Sequence, residues 1–263
     1  MKLKNKTALI TGASSGIGAA LAHELSRCKM QCILVSLNND ALQQVADSVE
    51  KETGLRPITY ECNVTDSTEL AKVALQLHSS LQDGLHLLVV NAGMTMHGRF
   101  EGSTNEALRR TMELNFFAVV ETVRAFLPLL KKATGEKRIT LTSTPSGLYG
   151  IKERFGYSAS KAAAGSFIES ISHELIDDHI TTTIFYPGYV ATALRTSGIS
   201  SDGQQIAEEQ AKNAKTPEEV AKIFRRAIES DKRRVFTNAT GRFVFFARSF
   251  MPNLLDKLIR KKH

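Results

Sequence analysis

Short runs of apolar and β-branched residues alternate along this chain with longer stretches whose apolar positions recur every three to four residues. The runs Thr7 to Thr11, Cys32 to Ser36, Ile58 to Cys62, Leu85 to Val90, Arg138 to Thr142, Thr182 to Tyr186 and, more weakly, Arg234 to Thr237 read as buried strands. Helical periodicity covers about 16–29, 39–52, 67–82, 104–131, 156–178 and 217–229. This alternation, with no linker inside it, predicts an α/β fold: a doubly wound parallel sheet of about seven strands with helices on both faces, forming one domain over residues 1–240. Right-handed crossovers place every strand C-terminus on one edge, so ligand-binding residues are expected just beyond the strand ends.

The first such end carries Thr11-Gly12-Ala13-Ser14-Ser15-Gly16-Ile17-Gly18. Glycines at a strand-to-helix turn permit a tight bend and close backbone approach, and the free N–H groups of the helix N-terminus favour a phosphate. Gly12, Ser14, Ser15, Gly16, Ile17 and Gly18 are therefore candidate nucleotide contacts. At the second strand's end stand Ser36 and Leu37, where an acid would accept bonds from a free ribose 2′-hydroxyl and repel a 2′-phosphate. Ser36, Asn38 and Asn39 offer hydrogen-bonding groups without negative charge, so NADP(H) is expected in preference to NAD(H), which is not excluded. Asn91-Ala92-Gly93 follows the fourth strand, and small residues there let a flat ring or a neighbouring backbone approach. Pro187-Gly188-Tyr189-Val190-Ala191-Thr192 forms a rigid turn after the sixth strand.

Tyr157 and Lys161 lie one helical turn apart on one face of the 156–178 helix. A phenol titrates near ~10, and an adjacent ammonium lowers that value toward useful acid/base chemistry. The fifth strand delivers Ser143, Thr144 and Ser146 to the same edge. Asn115, an amide inside the apolar Leu114-Asn115-Phe116-Phe117, needs hydrogen-bond partners, whether catalytic or purely structural.

Composition changes little in this picture. With 42% apolar and 23% charged residues the chain is an ordinary globular one. Met1 to Lys6 is polar and leads directly into the first strand, leaving no room for a signal peptide's apolar core. No apolar run approaches the ~20 residues of a membrane span. Cys28, Cys32 and Cys62 suit buried thiols in a reducing compartment, and no metal-ligand spacing occurs, so a cytoplasmic location and no metal are expected. The net charge of +7 is concentrated near the C-terminus, and nucleic-acid binding is not expected because no interleaved basic and aromatic stripe exists outside the tail.

Taken in order, Thr11 to Gly18, Asn91-Ala92-Gly93, Asn115, Tyr157 with Lys161, and Pro187-Gly188 with Val190 and Thr192 resemble the short-chain dehydrogenase/reductase family over about residues 5–240. The resemblance implies a Rossmann-like fold and hydride transfer between a nicotinamide cofactor and a ketone or secondary alcohol. Tyr157 would then be the acid/base, with Lys161 lowering its pKa and holding the ribose, and Asn115 would hold a water in a proton relay. Pro187, Gly188, Val190 and Thr192 would meet the nicotinamide, and Asn63 and Val64 the adenine. The serine expected thirteen residues before the tyrosine is replaced by Thr144, with Ser143 and Ser146 as alternatives. Residues 193–215 correspond to the substrate lid, and family members are commonly homodimers or homotetramers. A nucleotide-binding sensor or scaffold of the same fold is the alternative to an enzyme; the intact Asn115, Tyr157 and Lys161 argue against it.

The tail, 241–263, mixes six basic residues and one acid with apolar side chains from Phe243 to Ile259. Three readings stay open: a helix packed on its own domain, a peripheral membrane contact, or a subunit interface. In the second case the small-molecule substrate would be lipid- or steroid-like.

Overall fold

The computed structural model describes residues 1–192, 194, 198–206 and 213–262. The chain opens with β1 (Thr7–Thr11), α1 (Gly16–Arg27), β2 (Gln31–Ser36), α2 (Asn39–Thr53), β3 (Ile58–Glu61), α3 (Ser67–Ser80) and β4 (Leu87–Val90). Then follow β5 (Met96–His97), α4 (Asn105–Met112), a π-helical turn (Glu113–Phe117), α5 (Ala118–Lys132), β6 (Lys137–Thr142), α6 (Phe155–Glu174) and β7 (Ile180–Tyr186). The last elements are β8 (Gly198–Ser200), β9 (Gln205–Ile206), α7 (Pro217–Glu229), β10 (Arg234–Phe236), α8 (Ala239–Phe250) and α9 (Pro252–Lys262).

Seven strands form one parallel sheet in the order β10-β7-β6-β4-β1-β2-β3. Its central strands are buried along their length, Leu87 to Val90 being apolar throughout, because helices cover both faces. One core, built on Leu9, Leu88, Phe126 and Ile139, lies beneath α3, α5 and α6. The other, built on Ile10, Leu34, Phe185 and Phe224, lies beneath α1, α2 and α7. The sheet order changes direction beside β1, between β4 and β2, and this crevice receives the residues singled out above.

The structure differs from or adds to these expectations in four places. The fourth strand begins at Leu87 rather than Leu85, because the Leu85 N–H is taken by the Leu129 carbonyl. The expected 104–131 helix is interrupted by the π-helical turn, where Ala118 N–H bonds Glu113 O. A second sheet, β5-β8-β9, was not expected; its strands are two or three residues long, too short to show a period. Within the expected lid, 193–215, the structure describes β8 and β9, while 193, 195–197 and 207–212 lie outside the described residues. The capping box at the start of α7, Thr216 with Glu219, forms as its residue types dictate.

Candidate active site

A cleft of about 1100 Å³ opens along the C-terminal ends of β1, β2, β4, β6 and β7. Its lining includes Gly12, Ser14, Ser15, Gly16, Ile17, Ser36, Leu37, Asn63, Val64, Asn91, Ala92, Gly93, Thr144, Tyr157, Lys161, Pro187, Gly188, Val190 and Thr192. Two expected site residues stand behind this wall: Gly18 packs against the Gly12 carbonyl, and Asn115 is wholly buried.

At one end the glycine turn is shaped by positive φ at Gly12 (+63°) and Gly16 (+55°). A Cβ on Gly12 would meet Ala92 Cα at 2.9 Å, and one on Gly16 would meet Thr192 Cγ2 at 3.0 Å. Ser15 is the N-cap of α1 but makes no side-chain capping bond, and the first turn contains no acid. The leading N–H groups of α1 are thus available to an anion, and the missing side chains let the turn pack directly against Ala92 and Thr192. Asn91 braces this turn: its Nδ2 donates to Thr11 O (3.1 Å) and Gly12 O (3.2 Å). Thr11 Oγ1 accepts from the Asn91 and Ala92 N–H groups, so β1 and β4 are locked together at their tips. Ser36 Oγ and Ser14 Oγ are 2.8 Å apart, joining the end of β2 to the glycine turn, while Leu37 is exposed. Asn38 caps α2 by accepting from Ala41 N–H. Asn63 Oδ1 accepts from Thr65 N–H and Thr65 Oγ1, which fixes the loop after β3.

At the other end Lys161 is 5% exposed, and its Nζ donates to Thr142 O at 3.2 Å. Burial drives its pKa down to about 8. Asn115 joins the loop after β4 to α6: Oδ1 accepts from Met94 N–H (2.9 Å), and Nδ2 donates to Met94 O (2.9 Å) and Ser160 Oγ (3.0 Å). Ser160 Oγ donates in turn to the Tyr157 carbonyl at 2.9 Å, one turn below the phenol. Gly93 sits where these parts meet, since a Cβ there would be 2.9 Å from Asn115 Oδ1 and 3.0 Å from Lys161 Nζ. The π-helical turn supplies the extra residue that rotates Asn115 inward while Phe117, two positions on, is exposed.

Thr144 and Ser143 differ in accessibility. Thr144 caps the 3₁₀ turn Pro145–Gly147, its Oγ1 accepting from Ser146 N–H at 3.3 Å, which leaves its own proton to donate. Ser143 Oγ is closed off from solvent and, among the described residues, has no hydrogen-bond partner.

Sequence reasoning missed the polar wall opposite Tyr157. His97 Nε2 lies 3.4 Å from Glu153, Arg99 3.8 Å from the same carboxylate, and Arg154 donates to Thr95 Oγ1 at 2.7 Å. His97, Glu153, Arg154 and Thr95, with Arg110, Lys152, Ile199 and Gln205, line the same cleft as Tyr157 and Lys161, while Arg99 is not part of its lining. Nothing in their spacing points to a site, because β5 and β8 bring them in from distant parts of the chain.

A family model described as short chain dehydrogenase matches residues 6–202. An Anopheles gambiae protein described as dehydrogenase/reductase SDR family protein 7-like is 29% identical over 270 residues, covering 99% of this chain and 84% of that protein. A short-chain dehydrogenase of Burkholderia cenocepacia in complex with NADP superposes with a TM-score of 0.83 at 23% identity, covering 98% and 99% of the two chains. One from Burkholderia phymatum in complex with NAD gives 0.81 at 22%, covering 95% and 96%.

Proposed function

Because this chain belongs to the short-chain dehydrogenase/reductase family of NAD(P)-dependent oxidoreductases, we propose that it interconverts a ketone and a secondary alcohol with NADP(H), using Tyr157 as acid and base. The observation that carries this reading is the buried Lys161 ammonium, one helical turn from Tyr157 at the floor of a cleft that also receives an uncapped helix N-terminus. A buried charge is expensive, and a protein that only bound nucleotide would have no need of it beside a phenol.

The N–H groups of the glycine turn and of the α1 N-terminus hold the diphosphate, and Ser14, Ser36 and the Leu37 backbone face the 2′-phosphate. Thr192, Val190 and the Pro187-Gly188 turn flank the nicotinamide, which when bound supplies or accepts the hydride. In reduction Tyr157 donates its proton to the developing alkoxide, Lys161 stabilises the resulting phenolate and Thr144 donates a hydrogen bond to the substrate oxygen. Asn115 positions Tyr157 and Lys161 through Ser160 and Met94. A relay water on Asn115 must use its backbone carbonyl or a second lone pair of Oδ1, since both amide protons are engaged.

Cofactor choice is tested by fluorescence titration of NADPH and NADH. NADPH binds the more tightly, and Ser36→Asp raises its dissociation constant by about tenfold or more, about 1.4 kcal/mol, while leaving NADH equal or tighter. An NADPH affinity unmoved by that substitution would assign the cofactor wrongly.

Thr144→Val lowers kcat/KM by about tenfold or more, whereas Ser143→Ala changes it by less than about twofold and, by removing an unpartnered buried hydroxyl, does not lower the melting temperature. The reverse pattern would move the role to Ser143.

The pH dependence follows from Lys161. Its ammonium persists below about 8 and is lost above, so kcat/KM for reduction declines as pH rises through that value. Between about 8 and the ordinary 10.5 the unfolded chain holds a proton that the folded chain has released, so this group's contribution to stability rises with pH over that window. A rate profile flat from neutrality to pH about 10 would contradict the assignment of Lys161.

A further inference from the structure

The two C-terminal helices are seated on the body by one face only. Phe236 stacks on Tyr186 with ring centres 4.9 Å apart, Phe245 packs on Phe236 at 5.6 Å, and the Arg234 guanidinium lies 5.3 Å over the Phe245 ring. Gly241, Ala247 and Leu255 are buried in the same seam.

The outer face is apolar at helical spacing. Phe243, Phe246 and Phe250 stand at i, i+3 and i+7 on α8, Met251 follows at the break between the helices, and Leu254 and Leu258 lie one turn apart on α9. All six are exposed, Phe250 by 81%, and they make up six of the fourteen large apolar side chains exposed among the described residues. Single exposed apolar residues are ordinary, but six within sixteen positions form a surface that needs a partner.

Charge selects the partner. Arg242, Arg248, Lys257 and Arg260 accompany this stripe, the sequence continues with Lys261 and Lys262, and the single acid, Asp256, is engaged by the Tyr149 hydroxyl of the body. A second copy of this face would bring like charges together. An anionic bilayer meets both features, its headgroups matching the cations and its acyl boundary the aromatic and aliphatic stripe. Neither helix is long and apolar enough to cross a membrane, so such a contact is interfacial. We propose that α8 and α9 dock this protein peripherally on an anionic lipid surface.

The docking face is joined to the cleft. Tyr149 and Pro145, which touch Asp256 and Gly241, belong to the 145–154 segment, whose Ser146, Ile151 and Arg154 line the substrate end. A substrate dissolved in the bilayer would therefore meet the cleft wall beside the anchor.

The test is co-sedimentation of the full chain with phosphatidylcholine vesicles containing about one-quarter phosphatidylglycerol, compared with phosphatidylcholine alone, at about 0.1 M salt where the screening length is about 10 Å. The protein pellets with the anionic vesicles, is released as salt is raised, and stays largely in solution with neutral ones. Phe246→Ser combined with Phe250→Ser lowers the partition coefficient about tenfold or more, and Arg242→Ser with Arg248→Ser weakens it and flattens its salt dependence. NADPH affinity, unchanged in both variants, reports that they are folded. Failure of the unaltered chain to pellet with anionic vesicles would overturn the proposal, as would equal pelleting of the Phe246/Phe250 variant. A dimer in sedimentation velocity that this variant dissociates, without vesicle binding, would assign the face to a second copy instead.

Discussion

Tyr157→Phe lowers kcat by about 10²–10⁴-fold while leaving the NADPH dissociation constant within about twofold. The substitution removes one hydroxyl and keeps the ring, so the packing of α6 is undisturbed and the loss falls on proton transfer. The neighbouring Lys161→Met behaves differently. It removes the buried ammonium that donates to Thr142 O at the cleft floor, so both kcat and cofactor affinity fall. Measured side by side in steady-state assays and fluorescence titrations, the pair separates an acid/base role from a binding role. Equal loss of cofactor affinity in both variants would mean that Tyr157 serves binding rather than chemistry.

Asn115→Leu, close to isosteric, is expected to lower the melting temperature by about 10 °C. The amide makes three buried hydrogen bonds of 2.9, 2.9 and 3.0 Å, and a leucine leaves the Met94 N–H and C=O without their partner. Each stranded buried group costs about 1–3 kcal/mol, so the two together cost on the order of 2–6 kcal/mol. At about 2–4 °C per kcal/mol for a chain of this size, that shift is well resolved by calorimetry or circular dichroism. Because Ser160 loses its donor as well, residual activity falls further than stability alone accounts for. A melting temperature within about 2 °C of the unaltered protein would show that Asn115 does not join the β4 loop to α6 in solution.

These two residues also show why parts of the molecule were legible in its sequence. Tyr157 and Lys161 are visible because helix geometry alone brings i and i+4 together, and the glycine turn is visible because positive φ at Gly12 and Gly16 demands that residue type. The main strands are equally plain where they are buried apolar runs, as in Cys32 to Val35 and Leu87 to Val90, and fainter at the sheet edges, where β3 and β10 are partly exposed. Asn115 announces itself only as an amide in an apolar stretch. Its partners, Met94 and Ser160, are 21 and 45 residues away, and the π-helical turn that aims it inward leaves no mark on the apolar period. Asn91 is the converse case: expected beside the cofactor, it lines the cleft while its side chain holds the glycine turn in shape. The polar wall of His97, Glu153 and Arg154 joins the β5 strand to a loop more than fifty residues further on, so no local pattern encodes it. Under the proposed reading that wall belongs to the substrate end, whose residues carry no local signal comparable to the glycine turn.

The central claim, proton transfer by Tyr157 coupled to oxidation of NADPH, is tested most directly by following NADPH absorbance against a panel of ketones and aldehydes with the unaltered chain and with Tyr157→Phe. The account predicts NADPH loss matched mole for mole by alcohol formation, abolished to within about 1% by the substitution while NADPH still binds. NADPH oxidation that survives in Tyr157→Phe, or tight NADPH binding with no turnover of any carbonyl by the unaltered chain, would contradict it.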